Sequence, residues 1–503
     1  MPNLMDSVLR RYFVYRQQRI DAVLRDPWPY QDRLLSRILT RNASTEYGQT
    51  HGFGDIQDGR DYAAKLPLVR YEDLYPLIAR MMDGEQAILV QDRVRWYAKS
   101  SGTSNDRSKY IPITRPYLIR GHLKCTWFAA SSIYHENPDA KLFAQKNLIM
   151  VGSLSPLGDK GVLTGDISAI MMSNYPWIGR RFSTPAVKLA LTEDWDEKLD
   201  LIVRHCQDEK VTLLGGVPTW TLILIKRLLR HTGRDTLTEV WPELRTYVHG
   251  GVGFEPYREE FRRLLPADRV TFREAYNATE GYFGFQQHAE QDGMTLMMDH
   301  ETYYEFIPLD RYDGTDSEAL SLRQVKLDVA YVLVISNSSG LYRYIMGDVI
   351  SFVSLKPYKI KVLGRTEQHI NVFGEELMMA NVDQAVAEVS RAFGCRVKDY
   401  TVGPVFLTLQ EKGGHEWAVE FDVAPEPLAD FEQQLDRRLR ELNSDYDAKR
   451  SGDIALAPLK INVLPSGRVE QWQRARGKYG RQHKMPRLRN DRALLDQLLQ
   501  KQS

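Results

Sequence analysis

The chain has 503 residues, too many for one ordinary hydrophobic core, so roughly two to four domains or subdomains are expected. Its 67 Lys plus Arg nearly cancel 66 Asp plus Glu, for a formal net charge of +1, which argues against a nucleic-acid or membrane-surface partner but leaves room for a compact anion held by local charge. The three cysteines, Cys125, Cys206 and Cys395, lack C-x-x-C spacing; this fits a reducing, cytoplasmic setting and excludes a cysteine-based zinc site.

Residues 1–30 mix arginines and aspartates through their apolar positions, unlike a signal peptide, and no apolar stretch is long enough to span a bilayer. From 4 to 40, Leu9, Phe13, Ile20, Val23, Leu24, Leu34, Leu35 and Ile38 recur at helical spacing around the break Pro27-Trp28-Pro29, predicting two amphipathic helices. Residues 45–53 read as a loop and 67–87 as a mixed segment without a legible function. Arg95-Trp96-Tyr97-Ala98 and Tyr110-Ile111-Pro112-Ile113-Thr114 predict two strands. Between them, Ser100-Ser101-Gly102-Thr103-Ser104-Asn105-Asp106-Arg107-Ser108-Lys109 gathers small hydroxyl residues around a glycine and closes on a lysine. Backbone N–H groups in such a turn converge on an anion, hydroxyls add donors, and the lysine brings a full charge to polyphosphate oxygens. The run is not a Walker A loop, since Ser108 rather than glycine precedes Lys109 and Tyr110 follows it. The reading is a hairpin that carries a phosphate loop.

A helix over 114–134, a buried strand over 146–152, a helix over 195–208, a strand over 211–216, a helix over 218–231 and a strand over 247–253 come next. This alternation predicts an α/β fold with a largely parallel sheet. Gly215-Gly216 and Gly250-Gly251 stand at strand ends, where glycine either lets a ligand approach the backbone or simply punctuates a turn. Phe272-Arg273-Glu274-Ala275-Tyr276-Asn277-Ala278-Thr279-Glu280-Gly281 places a carboxylate beside a hydroxyl, a pairing suited to a divalent cation and a phosphate oxygen, although Thr-Glu-Gly alone is more often a surface turn.

Strands over 302–308 and 331–336 suggest a smaller antiparallel sheet. After them, Leu341-Tyr342-Arg343-Tyr344-Ile345-Met346-Gly347-Asp348-Val349-Ile350 sets an aspartate in a Gly-Asp turn. Such a carboxylate either accepts two ribose hydroxyls or pairs with Arg343. Gly364-Arg365-Thr366 breaks the strand pattern, and the domain boundary is placed there: 1–363 and 364–503. The second part reads as a helix over 382–393, strands over 399–409 and 417–423, a helix over 428–443 and a strand over 460–464, a small α+β layer. Its basic tail, 477–487, has the composition of a solvated face. No internal repeat or low-complexity tract occurs.

Four separated pieces now agree with one pattern: Ser100-Ser101-Gly102-Thr103-Ser104 with Lys109, Tyr276-x-x-Thr279-Glu280-Gly281, Tyr342-Arg343-x-x-x-Gly347-Asp348, and Gly364-Arg365 followed by Lys484-x-Pro486-Arg487. In this order the sequence resembles the GH3 family of acyl-acid amido synthetases, firefly-luciferase-type adenylating enzymes whose plant members join auxin or jasmonate to amino acids. The likeness extends to the N-terminal helices and to Asn443-x-x-Tyr446-x-x-x-Arg450. It implies a large N-terminal ATP- and acyl-acid-binding domain, with sheets flanked by helices and a small antiparallel barrel-like part, and a smaller mobile C-terminal α+β domain hinged near 364–366.

By resemblance, Ser100, Ser101, Gly102, Thr103, Ser104 and Lys109 handle the ATP phosphates, Glu280 holds Mg²⁺, Thr279 lies near the α-phosphate, Tyr276 sits beside the adenine and Asp348 binds the ribose. Arg365 belongs to the ATP site at the hinge, and Lys484 reaches the adenylate. Lys109, Thr279, Glu280 and Lys484 are thus the implied catalytic residues. Plant relatives commonly have glycine where Asp106 stands. The implied reaction joins a small carboxylic acid to an amino acid through an acyl-adenylate, releasing pyrophosphate and AMP. Transfer to a thiol, as in an acyl-CoA or acyl-protein synthetase, and a catalytically inactive nucleotide- or acyl-binding module are the alternatives. The acyl pocket is expected from 114–127, 151–166 and 217–220. Neither the acid nor an oligomeric state is legible.

Overall fold

The computed structural model describes residues 2–104, 107–158, 161–266, 268–289, 291–366, 369–409, 411–451, 456–475 and 485–500. The two N-terminal helices form as predicted, Pro2–Arg25 and Trp28–Asn42, the second burying Leu34, Leu35, Ile38 and Leu39 along one stripe. Among the described residues no helix is long and apolar enough to cross a membrane.

The stretch 45–53, expected to be loop, contains the helix Glu46–Thr50. One turn is too short for hydrophobic periodicity to register; its signals are the Thr45 hydroxyl, which accepts from Gly48 N at 3.0 Å, and Gly48 itself, where a Cβ would stand 2.0 Å from the Asn42 carbonyl oxygen. The mixed segment 67–87 holds the helix Tyr71–Met82, whose internal Pro76 conceals it from a propensity reading.

A twelve-stranded sheet dominates the molecule. Strands Ser183–Thr184, Lys146–Ile149, Val211–Gly215, Thr246–Gly250 and Thr271–Ala278 lie side by side and parallel. Val211–Gly215 is buried at every residue, as a strand covered on both faces requires. Pro218–Thr232 crosses over after it, started by Pro218 in its first turn and ended by Gly233 in the left-handed region at φ 66°.

The antiparallel part is not a separate sheet. Gly281–Phe285 hairpins back on Thr271–Ala278, and Met294–Leu296, Tyr358–Arg365, Tyr344–Leu355, Ala330–Asn337, Thr302–Pro308 and Leu320–Ser321 follow outward from it, each antiparallel to the last. The hairpin Trp96–Ser104 and Arg107–Ile113 belongs to a second sheet, of four strands.

The C-terminal part is a three-stranded sheet, Arg396–Val405, Gly414–Val423 and Lys460–Leu464, with helices Met379–Ala392 and Leu428–Leu442 packed together. One apolar cluster runs from Leu214, Tyr247 and Phe261 under the parallel strands into Phe373, Tyr400 and Trp417 of this part. Tyr257 fastens the two by donating to the Val372 carbonyl at 3.0 Å.

Candidate active site

The hairpin expected to carry the phosphates is built by strand pairing with one interruption. Ser100 faces Lys109 and Thr103 faces Ser108, so Ser101 and Gly102 form a bulge that breaks the ladder and turns backbone groups away from it. Below the hairpin, the Tyr71 hydroxyl accepts from Tyr110 N at 2.8 Å, and Lys109 Nζ lies 5.7 Å from the Tyr71 ring centre. The side chains of Ser100, Ser101, Thr103 and Ser104 lie outside what the structure describes, as do Asp106 and Lys484.

Thr279 and Glu280 link the strands Thr271–Ala278 and Gly281–Phe285, where the parallel half of the sheet passes into the antiparallel half. Far from being a surface turn, Glu280 is 7% exposed. Its carbonyl is clamped by the Tyr117 hydroxyl at 2.6 Å and by Asn337 Nδ2 at 3.2 Å. A Cβ on Gly281 would meet the same Tyr117 oxygen at 2.6 Å, so glycine is required there. Among the described residues the Glu280 carboxylate has one hydrogen bond, a long one from the Tyr344 hydroxyl at 3.5 Å. Burial raises its pKa above the ordinary glutamate value, and the charge of Lys109 works in the opposite direction.

Gly347-Asp348, expected to be a turn between strands, sits inside the continuous strand Tyr344–Leu355. The reason is a bulge: the pairing with Ala330–Asn337 shifts between Val332 and Val334, and Gly347 takes φ +80° opposite the shift, a conformation glycine adopts without cost. Arg343 is not the partner of Asp348; it pairs with Glu305 at 3.0 Å. Asp348 instead accepts from Arg365 Nε at 2.9 Å and from the Tyr276 hydroxyl. Burial and the neighbouring Asp348 carboxylate hold the Tyr276 phenol protonated, well above its ordinary pKa. Arg365 reaches on to Glu376 at 3.5 Å, and the Glu376 charge is the main cause of the raised Arg365 pKa.

Tyr276, Glu280, Asp348, Arg365 and Lys109 are therefore one electrostatic neighbourhood. Thr279 marks its border with a cavity of about 770 Å³. The stretches expected to line the acyl pocket do line this cavity, through Leu123 and Trp127, Val151 and Asp166, and Val217 and Trp220. Sequence reasoning missed Lys198, Asp445 and Lys449. Lys198 donates to the carbonyls of Val151 and Gly152 at 3.1 and 2.9 Å, and burial brings its pKa down to about 8. The legible signal was the acid–base pair at i and i+4 in 445–449, indistinguishable by itself from a solvated face.

The GH3 family N-terminal domain matches residues 16–186 and 158–270, the central domain 295–365 and the C-terminal domain 380–493. The chain belongs to the GH3 family. It is 24% identical to the indole-3-acetic acid-amido synthetase GH3.8 of Oryza sativa subsp. indica, over 93% of this chain and 89% of that protein. To the 4-substituted benzoates-glutamate ligase GH3.12 of Arabidopsis thaliana it is also 24% identical, over 87% and 88%. Its fold is like that of the AtGH3.15 acyl acid amido synthetase in complex with 2,4-DB, with TM-score 0.60 at 18% identity over 96% of this chain and 95% of that one. A 2-hydroxyisobutyryl-CoA ligase is like it at TM-score 0.51 and 13% identity, over 98% and 92%.

In this GH3 chain the family pattern at 443–450 is structural. Asn443 caps the helix Ser444–Arg450 by accepting from Asp445 N and Tyr446 N, and Tyr446 and Arg450 both bind Asp436.

Proposed function

We propose that this GH3 protein is an ATP-dependent acid–amino acid ligase. It joins the carboxylate of a small organic acid to the amino group of an amino acid, with release of pyrophosphate and AMP. The observation that carries the reading is the convergence of Lys109, Glu280, Asp348 and Arg365 beside one mainly apolar cavity, from three strands of two sheets and the turn at Thr279-Glu280.

In the first step a carboxylate oxygen of the acid attacks the α-phosphorus of ATP, and pyrophosphate leaves with the bonding electrons. The apolar wall around Leu123, Trp127 and Phe182 takes the body of the acid and holds its carboxylate toward Thr279. Asp348, oriented by its hydrogen bond from the Arg365 guanidinium, accepts the ribose hydroxyls, and Tyr276 flanks the adenine. Lys109 and the amides of the Ser100–Ser104 hairpin carry the phosphates and the charge that develops on them.

Glu280 is suited to Mg²⁺. It is a buried carboxylate with spare acceptor capacity, and Mg²⁺ ordinarily takes one or two carboxylates together with substrate phosphates. No group of three or more His, Cys, Asp or Glu is placed to hold a metal among the described residues; Glu280 would hold the ion together with substrate phosphates. Bound there, the ion would supply charge neutralisation on the phosphate oxygens.

In the second step the acceptor amine attacks the acyl carbonyl and AMP departs. We place the hinge for the exchange between steps at Gly364–Thr366, where the strand Tyr358–Arg365 ends and the C-terminal part begins, with Lys484 serving the first step. Free thiols at Cys125, Cys206 and Cys395 support a reducing, cytoplasmic setting. Acid-dependent exchange of pyrophosphate into ATP tests the first step across a panel of aromatic and aliphatic acids. Product mass with amino acids or coenzyme A offered together tests the second: an amide supports the reading, and a thioester alone overturns it.

A further inference from the structure

The C-terminal wall of the cavity carries an acid and a base one helical turn apart. Asp445 and Lys449 are i and i+4 on the helix Ser444–Arg450, and both line the cavity together with Lys99, Asp166, Trp220 and Glu376. The back of this helix is fixed by Arg450 and Tyr446, which grip Asp436, so the front is presented to the cavity in one orientation.

Neither side chain makes a hydrogen bond or ion pair among the described residues. Asp445 Oδ2 is buried without a hydrogen-bond partner among the described residues. Lys449 Nζ rests 4.3 Å from the centre of the Trp220 ring and makes no ion pair or hydrogen bond among the described residues. An unsatisfied buried carboxylate is costly to keep, and here it opens onto the space where the activated acid must meet its acceptor. Residues at i and i+4 lie one turn apart on the same helix face, so one bound α-amino acid can present its carboxylate to Lys449 and its ammonium group to Asp445.

Charges face this pair from every side. Asp445 is approached by Lys449 and Lys99, which favour its ionised form, and by Glu376 and Asp166, which oppose it; burial is the largest influence and brings the carboxyl up to about 7. Lys449 is lowered by burial and supported by Asp445, Asp166, Glu375 and Glu376. A carboxyl that titrates near neutrality is matched to taking a proton from an amine at neutral pH.

We propose that Asp445 and Lys449 form the acceptor subsite, Lys449 binding the α-carboxylate of the incoming amino acid and Asp445 taking a proton from its ammonium group. The inference rests on the ligase reading above. The nitrogen arrives with three protons. One passes to Asp445, the freed lone pair forms the C–N bond to the acyl carbonyl, and the carbonyl–phosphate C–O bond breaks with its electrons leaving on AMP. The second proton goes to water, and the amide keeps the third.

The test separates the two half-reactions in Asp445→Asn and Lys449→Met. Acid-dependent pyrophosphate exchange, which needs no acceptor, reports the fold and the first step. Single-turnover transfer from preformed acyl-adenylate is then measured with the best amino acid and with hydroxylamine, whose nitrogen is unprotonated at neutral pH. Asp445→Asn is expected to slow transfer to the amino acid about 100-fold and to abolish its rise with pH through about 7, while transfer to hydroxylamine stays near wild type. Lys449→Met is expected to raise KM for the amino acid about 10-fold or more, without changing KM for the matching amine that lacks a carboxylate. Equal losses with amino acid and hydroxylamine overturn the proton-acceptor role, and an unchanged amino-acid KM in Lys449→Met overturns the carboxylate role. Absence of acid-dependent exchange in the wild type overturns the ligase reading itself, and the subsite with it.

Discussion

Arg365 Nε stands 2.9 Å from Asp348 Oδ1, and the pair joins the end of the strand that leads into the C-terminal part to the carboxylate proposed to hold the ribose. Hydrogen bonds to charged groups contribute roughly 1.5–3 kcal/mol. Asp348→Asn is therefore expected to raise KM for ATP about 10-fold to 100-fold in pyrophosphate exchange. Because Arg365 also reaches Glu376, Arg365→Ala is expected to slow both half-reactions, and Glu376→Gln chiefly the second. Separate rates for exchange and for single-turnover transfer check the distinction; equal effects of Glu376→Gln on both would refute it.

Glu280 supplies a second prediction. Glu280→Ala is expected to abolish acid-dependent, Mg²⁺-dependent exchange while leaving the circular dichroism spectrum unchanged. The isosteric Glu280→Gln tests the electrostatics. A carboxyl whose folded-state pKa is raised contributes stability that is complete below its unfolded value and is lost as pH rises through the folded value. Since burial raises Glu280, the melting temperature of Glu280→Gln relative to wild type is expected to increase from pH 4 to pH 8. A difference that stays constant, or reverses, would show that Glu280 is not held above its ordinary value.

Arg343 is a structural residue inside a motif that resembles a functional one. Its guanidinium donates to Glu305 and to the carbonyls of Ala63 and Leu66 at 2.8 and 2.6 Å, with both side chains of the ion pair buried. Removing one partner of such a pair costs about 3–5 kcal/mol. Arg343→Met is expected to lower the urea midpoint by a corresponding amount, and the folded fraction is expected to keep a wild-type KM for ATP. A stable variant with weakened ATP binding would contradict this.

Lys484→Ala is expected to slow formation of the acyl-adenylate and to leave both ATP binding and transfer from preformed adenylate close to wild type. Equilibrium binding of a fluorescent ATP analogue and rapid-quench measurement of each step separate these quantities. Normal adenylation in the variant would remove Lys484 from the site.

The sequence by itself determined the order of the hydroxyl-rich hairpin, Thr279-Glu280 and Gly347-Asp348, together with the α/β alternation and the long helices. Those features are local: hydroxyls around a glycine, apolar runs that end in glycine, and a periodicity maintained over several turns each declare themselves within about a dozen residues. Short elements escaped because one helical turn, as in Glu46–Thr50, is below the length at which periodicity is visible. Only the tertiary structure decided which charges meet. Asp348 was equally compatible with Arg343 until the fold turned Arg343 toward Glu305, 38 residues away, and brought Tyr276 to Asp348 from 72 residues away. The same holds for Asp445 and Lys449. Their spacing places them on one helix face, but whether that face meets water or a cavity depends on how the C-terminal part docks against the parallel strands, through apolar contacts drawn from positions between Leu148 and Leu488.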